Sequence, residues 1–203
     1  MDSRGQVEGF ILAGGESSRM GREKALLEIG GEPLIVRTVR LVESVASGAT
    51  VVGESAAIRA LGLPTLADDW PGAGPLGAIA TALRVAKAPW SLVIACDLPY
   101  LTKVWLEHLI ARAAASEANA DAVLAMNTRG AEPLSALYHK RGEPAIRAAL
   151  ERGTRKVTDG LASLRIEVIE PAEWKRFDSE GYLFKNMNSP EDYQEARARL
   201  GAG

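Results

Sequence analysis

The chain has 203 residues, 47% of them hydrophobic and 25% charged, and carries a formal net charge of −2. These values suit a folded domain with a sizeable core and exclude a broadly basic surface built for nucleic acid or anionic membranes. One cysteine, Cys96, and only two histidines exclude an internal disulfide and leave too few soft ligands for structural zinc.

No apolar run reaches membrane-spanning length, and the opening MDSRGQVEG has no signal core. The expectation is one domain over residues 1–203, cytoplasmic, monomeric, and without nucleic-acid or membrane partners. EGFILAGG predicts a buried strand ending in glycines. GGEPLIVRTVRLVESVA predicts a turn and then a helix, with Pro33 as its first residue and Ile35, Val39, Val42 and Ala46 at helical spacing. ATVVG is a short strand, SAAIRALG a short helix, LPTLADDWPGAGP a loop, and PLGAIATALRVAKA a helix opened by Pro75. WSLVIACD is a second continuous apolar strand. TKVWLEHLIARAAA follows as a helix capped by Thr102. DAVLAMNT and PLSALYHK are strands, with Lys140 solvated after the second. GEPAIRAALERG is a helix, LRIEVIE a late strand, and NSPEDYQEARARL a final helix whose Ser189 and Asp192 form a capping signature.

Strands alternate with helices, and the early strands are continuously apolar. This predicts an α/β fold of three layers, a mostly parallel sheet with helices on both faces. Ligands of such sheets bind beyond the carboxyl ends of the strands. Two unusual segments fall at that edge. In LAGGESSRMGREK, Gly14 and Gly15 let a ligand approach the backbone, while Arg19 and Lys24 supply charge suited to a polyphosphate. The segment is not a P-loop, because Arg22 follows Gly21. Gly72, Gly74 and Gly77 match a dinucleotide fingerprint in spacing, but they follow a turn-rich stretch and enclose Pro75. In CDLPY, Asp97 ends a strand, where it either caps the next segment or holds Mg²⁺. Asn186 and Asn188 precede the last helix as loop residues or as oxygen donors to a metal. Asp68 and Asp69 are either turn formers or contacts to ribose or metal.

LAGGESSRMGREKALLEIGGEPL resembles the opening signature of nucleotidyltransferases that share the nucleotide-diphospho-sugar transferase-like fold. Among these it is most similar to the molybdenum cofactor guanylyltransferases. The similarity continues through GPLGAI, CDLPYL, EPLSALY and NMNSPED, in the family's order. It implies that Leu12, Ala13, Gly14 and Gly15 wrap the nucleotide, that Arg19 and Lys24 hold the triphosphate, and that Asp68 contacts the nucleotide. It further implies that Asp97 ligates Mg²⁺ with Asn188, that Asn186 faces the phosphates, and that Arg155 and Lys156 lie near the pterin substrate. One position departs from the pattern: the family often has an asparagine near the guanine where this chain has Gly53.

The implied reaction moves GMP from GTP to the terminal phosphate of molybdopterin, with molybdoenzymes or their chaperones as recipients of the product. Cytidylyl transfer to the same pterin and nucleotidyl transfer to a sugar phosphate are the enzymatic alternatives. A non-catalytic nucleotide or cofactor carrier is the alternative from another class; Lys24 and Asp97 argue against it.

Overall fold

The computed structural model describes residues 3–13, 24–53 and 55–201. Gly14, Gly15 and Arg19 lie outside them. The first strand, β1 (Val7–Leu12), is followed by a two-residue hairpin, β2 (Glu28–Ile29) and β3 (Glu32–Pro33), and by helix α1 (Leu34–Glu43). Gly30 and Gly31 turn the hairpin with φ of 63° and 78°, a conformation that a side chain would strain. Pro33 therefore differs from expectation. It pairs with Glu28 and sits at the N-cap with ψ 137°, one residue before the helix. The apolar face of α1 is the expected one, and Ala46 is buried just beyond its end.

Next come β4 (Ala49–Val52), α2 (Ala56–Ala60), β5 (Thr65–Leu66), α3 (Pro75–Val85) and β6 (Trp90–Ala95). The stretch read as a plain loop contains β5, which pairs with β4 and so is held by its neighbour rather than by its own pattern. After α4 (Lys103–Ser116) come β7 (Ala122–Asn127), β8 (Gly130–His139), α5 (Glu143–Glu151), α6 (Val157–Gly160), β9 (Ile166–Ile169), α7 (Pro171–Trp174) and α8 (Pro190–Leu200). Thr102 caps α4 by accepting from the Trp105 N–H, and Ser189 with Asp192 closes a capping box on α8.

The seven-stranded sheet has the order β5-β4-β1-β6-β8-β7-β9. All its strands run one way except β8, which is antiparallel to both β6 and β7. Every residue of β6 is buried, as expected for a strand covered on both faces. On one face, Ile35, Val39 and Val42 of α1 and Trp105, Leu106 and Leu109 of α4 pack on Ile11, Leu92 and Ile94. On the other, Leu76, Ile79 and Leu83 of α3 and Ile146 and Leu150 of α5 pack on Phe10, Val93 and Tyr138. A smaller cluster of Ile29, Leu34, Met187 and Ala196 fastens α8 to the hairpin. This contact returns the end of the chain to the carboxyl edge of β1 and β6.

Candidate active site

The parallel strands β4, β1 and β6 end together. The Ala13 N–H donates to the Val52 carbonyl at 3.1 Å, and the Cys96 N–H donates to the Leu12 carbonyl at 3.1 Å. The Leu12 carbonyl and the Ala13 N–H are thus engaged inside the sheet, although both residues were expected to wrap a nucleotide. The other backbone groups expected to do so belong to Gly14 and Gly15, outside the described residues.

Asp97 lies two residues past β6. Its carbonyl accepts from the Met187 N–H at 2.8 Å, tying the segment before α8 to the strand end. Burial pushes the Asp97 carboxyl above the usual carboxylate range, and the charge of Lys24 opposes the shift. Lys24 opens a short 3-10 turn whose Ala25 is buried in the core. Its Nζ donates to Asn188 Oδ1 at 2.9 Å, across 164 residues of sequence. Asn188 is held in turn by its own N–H, which donates to Asp192 Oδ2 at 3.0 Å. Lys24, Asp97 and Asn188 thus meet at one sheet edge.

Asp97 and Asn188 offer hard oxygen donors. One carboxylate and one amide oxygen suit Mg²⁺, which keeps several waters and takes substrate phosphates as its other ligands. The bond from Lys24 leaves Asn188 Oδ1 a second lone pair. Among the described residues, no group of three or more His, Cys, Asp and Glu gathers to form a complete metal cage.

Asp68 is half-buried after β5. Its Oδ1 accepts from the Trp70 N–H at 2.9 Å and from Thr81 Oγ1 at 3.0 Å, which docks the loop on α3. Oδ2 accepts no hydrogen bond among the described residues. Asp69 forms a fork with Arg84, at 2.5 and 3.1 Å, and this separates it in role from Asp68. Gly53 has φ 106°, and its N–H donates to the Leu66 carbonyl at 2.9 Å. Of the fingerprint-like glycines, Gly72 and Gly74 form a turn into α3, with Gly74 at the N-cap, and Gly77 lies buried within the helix.

Arg155 donates to the carbonyls of Leu150 and Thr154 at 3.2 and 3.0 Å, closing the end of α5. Lys156 lies 3.5 Å from Asp159. Both side chains are exposed. Because β8 runs against its neighbours, α5 crosses back over the sheet and returns residues 152–156 to the carboxyl edge. Neither lines the cavity of about 380 Å³ beside Asn188, which is bounded by Arg129, Glu132, Lys185, Asn186, Asn188 and Asp192. Asn186 and Asn188 were expected near the reacting groups. Glu132 was not singled out, although it opens the EPLSALY motif. Its only signal was a carboxylate at the start of an apolar strand, and that becomes meaningful only when β8 is known to begin at the ligand edge.

Fold and site together define a nucleotidyltransferase: the chain belongs to the MobA-like NTP transferase domain family, whose model matches residues 9–166. It is 34% identical over 194 residues to a probable molybdenum cofactor guanylyltransferase of Pelotomaculum thermopropionicum, covering 95% of this chain and 92% of the relative. It is 31% identical to the molybdenum cofactor guanylyltransferase of Vibrio atlanticus, covering 92% and 93%. Among solved structures, molybdopterin-guanine dinucleotide biosynthesis protein A of Archaeoglobus fulgidus superposes with a TM-score of 0.80 at 25% identity, over 95% of this chain and 97% of that one. The 2-C-methyl-D-erythritol 4-phosphate cytidylyltransferase of Thermus thermophilus shares the fold, with a TM-score of 0.62 at 18% identity, over 94% and 96%. No helix among the described residues is long and apolar enough to cross a membrane.

Proposed function

We propose that this protein transfers GMP from GTP to the terminal phosphate of molybdopterin, releasing pyrophosphate and forming a guanine dinucleotide cofactor. The observation that carries the reading is the meeting of Lys24, Asp97 and Asn188 at one strand edge, in a chain whose relatives bear that name. An oxygen of the acceptor phosphate attacks the α-phosphorus of GTP. The new P–O bond forms as the bond to the bridging oxygen breaks, and its electron pair leaves with pyrophosphate. The acceptor is itself a nucleophile, so no side chain need form a covalent intermediate.

The protein positions two anions and offsets their charge. Lys24 balances charge on the triphosphate and is itself oriented by Asn188. Asp97, raised by burial with the charge of Lys24 opposing, gains from a bound cation. Mg²⁺, held by Asp97 and Asn188, would supply charge neutralisation at the phosphates. Arg19, Gly14 and Gly15 complete the triphosphate cradle in this proposal, and Asp68 Oδ2 faces the nucleoside.

Pyrophosphate release with molybdopterin, Mg²⁺ and each of the four NTPs in turn tests the reading. Release with GTP and molybdopterin together, and with neither alone, is the expected result. Gly53 favours one second reading, cytidylyl transfer to the same acceptor, because it has no side chain to read a purine. Faster release with CTP than with GTP establishes that reading in place of the first.

A further inference from the structure

The cavity beside Asn188 lies on the far side of Asp97 from β4 and β5. Strand order makes this a separation of roles. Gly53 and Asp68 follow β4 and β5, on the nucleotide side; Asp97 follows β6 in the middle; Glu132 and Arg129 belong to β8 and its turn, on the other side. The register of β6 with β8 runs from Trp90 opposite His139 to Ile94 opposite Ser135. β8 therefore begins, at Gly130, on the side of the sheet where β6 leads into Asp97, and Glu132 lies at that edge.

We infer that Glu132 is the specificity residue for the acceptor, its carboxylate taking the paired N–H donors of an aminopyrimidinone ring seated in this cavity. The inference rests on the guanylyl-transfer reading, which puts such a ring at one end of the acceptor and the attacking phosphate at the other. The cavity of about 380 Å³ has room for a bicyclic ring. Its Asn188 end, bonded to Lys24, receives the phosphate.

The polar groups of the cavity divide by what they already hold. Lys185 is paired with Glu195 and lies 3.8 Å from Asp192. Asp192 is the capping residue of α8. Arg129 donates to the Phe184 carbonyl at 3.2 Å. Glu132 is half-buried and makes no ion pair with a described residue; Asn127 Nδ2 donates to its Oε1 and orients it. Burial pushes this carboxyl up to about 7, with Arg129 opposing, so N–H donors brought by a ligand would favour its ionised, acceptor-only form. An aminopyrimidinone edge carries a ring N–H and an exocyclic amino N–H side by side, the donor pair that matches the two oxygens of a carboxylate. A ring lacking these donors leaves the carboxylate desolvated and unpaired, and that is how such a site rejects it.

The test uses the full chain, wild type and Glu132→Gln, with GTP and Mg²⁺. The expected result is a KM for molybdopterin raised at least about tenfold, with kcat and the KM for GTP unchanged. An unchanged KM for molybdopterin, or a KM for GTP raised in its place, overturns the inference. Fluorescence titration with 6-hydroxymethylpterin gives a readout that does not depend on the variant folding. The wild type is expected to bind this probe with GTP at saturation, and displacement of the probe by GTP overturns the assignment. The two levels fail separately. A wild type that binds the probe but transfers no guanylate to molybdopterin refutes the reaction and keeps the subsite. A wild type that transfers guanylate, with an unaltered KM in Glu132→Gln, refutes the subsite alone.

Discussion

Replacing Asp97 by Asn should move stability and turnover in different directions. The Asp97 carboxyl is half-buried just past the end of β6, and this burial raises its pKa above the unfolded value of 3.8. The folded state therefore holds this proton more tightly than the unfolded state does. Stability is unaffected by the group below pH 3.8, falls as pH rises through the window up to the raised value, and stays reduced above it. At neutral pH, Asp97→Asn removes that cost. The main-chain bond from Met187 to the Asp97 carbonyl does not depend on the side chain. The melting temperature should be equal to wild type or higher at pH 7.5, with the difference vanishing in acid. Turnover should fall, because the variant loses the strand-edge carboxylate that would hold a cation against the phosphates. Loss of such an electrostatic contact costs about 3 kcal/mol in the transition state, roughly two orders of magnitude in kcat. Thermal melts across pH, paired with pyrophosphate release across Mg²⁺ concentration, make the measurement. Turnover near wild type with the same Mg²⁺ dependence would refute the argument, and so would inactivity that merely accompanies unfolding.

Lys24→Ala should raise the KM for GTP and lower kcat. It should also shift the acidic limb of the pH–rate profile upward, because the cation that lowers the Asp97 pKa is gone. Lys140 is exposed, as expected from its place after a strand, and its Nζ also donates to the Ala86 carbonyl at 2.7 Å. Lys140→Ala should cost about 1 kcal/mol of stability in a denaturant titration and leave turnover unchanged. Gly9→Ala puts a Cβ 2.0 Å from Val42 Cγ1 and 2.9 Å from the Gly48 carbonyl, between β1 and α1. Overpacking there should cost about 3 kcal/mol, and a denaturation midpoint equal to wild type would contradict the packing. Asp121 is held at about 2 by hydrogen bonds from Arg165. Its contribution is present above pH 3.8 and is lost as pH falls through about 2. Discounted for the exposure of Arg165, it amounts to about 1–2 kcal/mol. Acid titrations of wild type and Asp121→Asn should therefore converge toward pH 2.

The sequence by itself determined the elements whose cause is local. β6 and the Phe10–Leu12 run of β1 were legible because strands covered on both faces carry continuous apolar runs. The starts of α4 and α8 were legible because Thr102 and Ser189 satisfy helix N–H groups within three residues. Asp97 and Lys24 stood out as charges placed directly after, or close behind, apolar strands. Only the tertiary structure decided what depends on a distant partner. β5 exists because β4 offers it a ladder, and the hairpin β2–β3 exists because α8 covers it. The reversed direction of β8 leaves no mark on its composition, since an interior strand is apolar either way; yet that direction brings Glu132 to the ligand edge. The bond from Lys24 to Asn188 spans 164 residues, and no local pattern encodes it. It forms because Met187 and Ala196 bury apolar surface against Ile29 and Leu34, a hydrophobic contact between two ends of the chain that aligns the polar groups beside it.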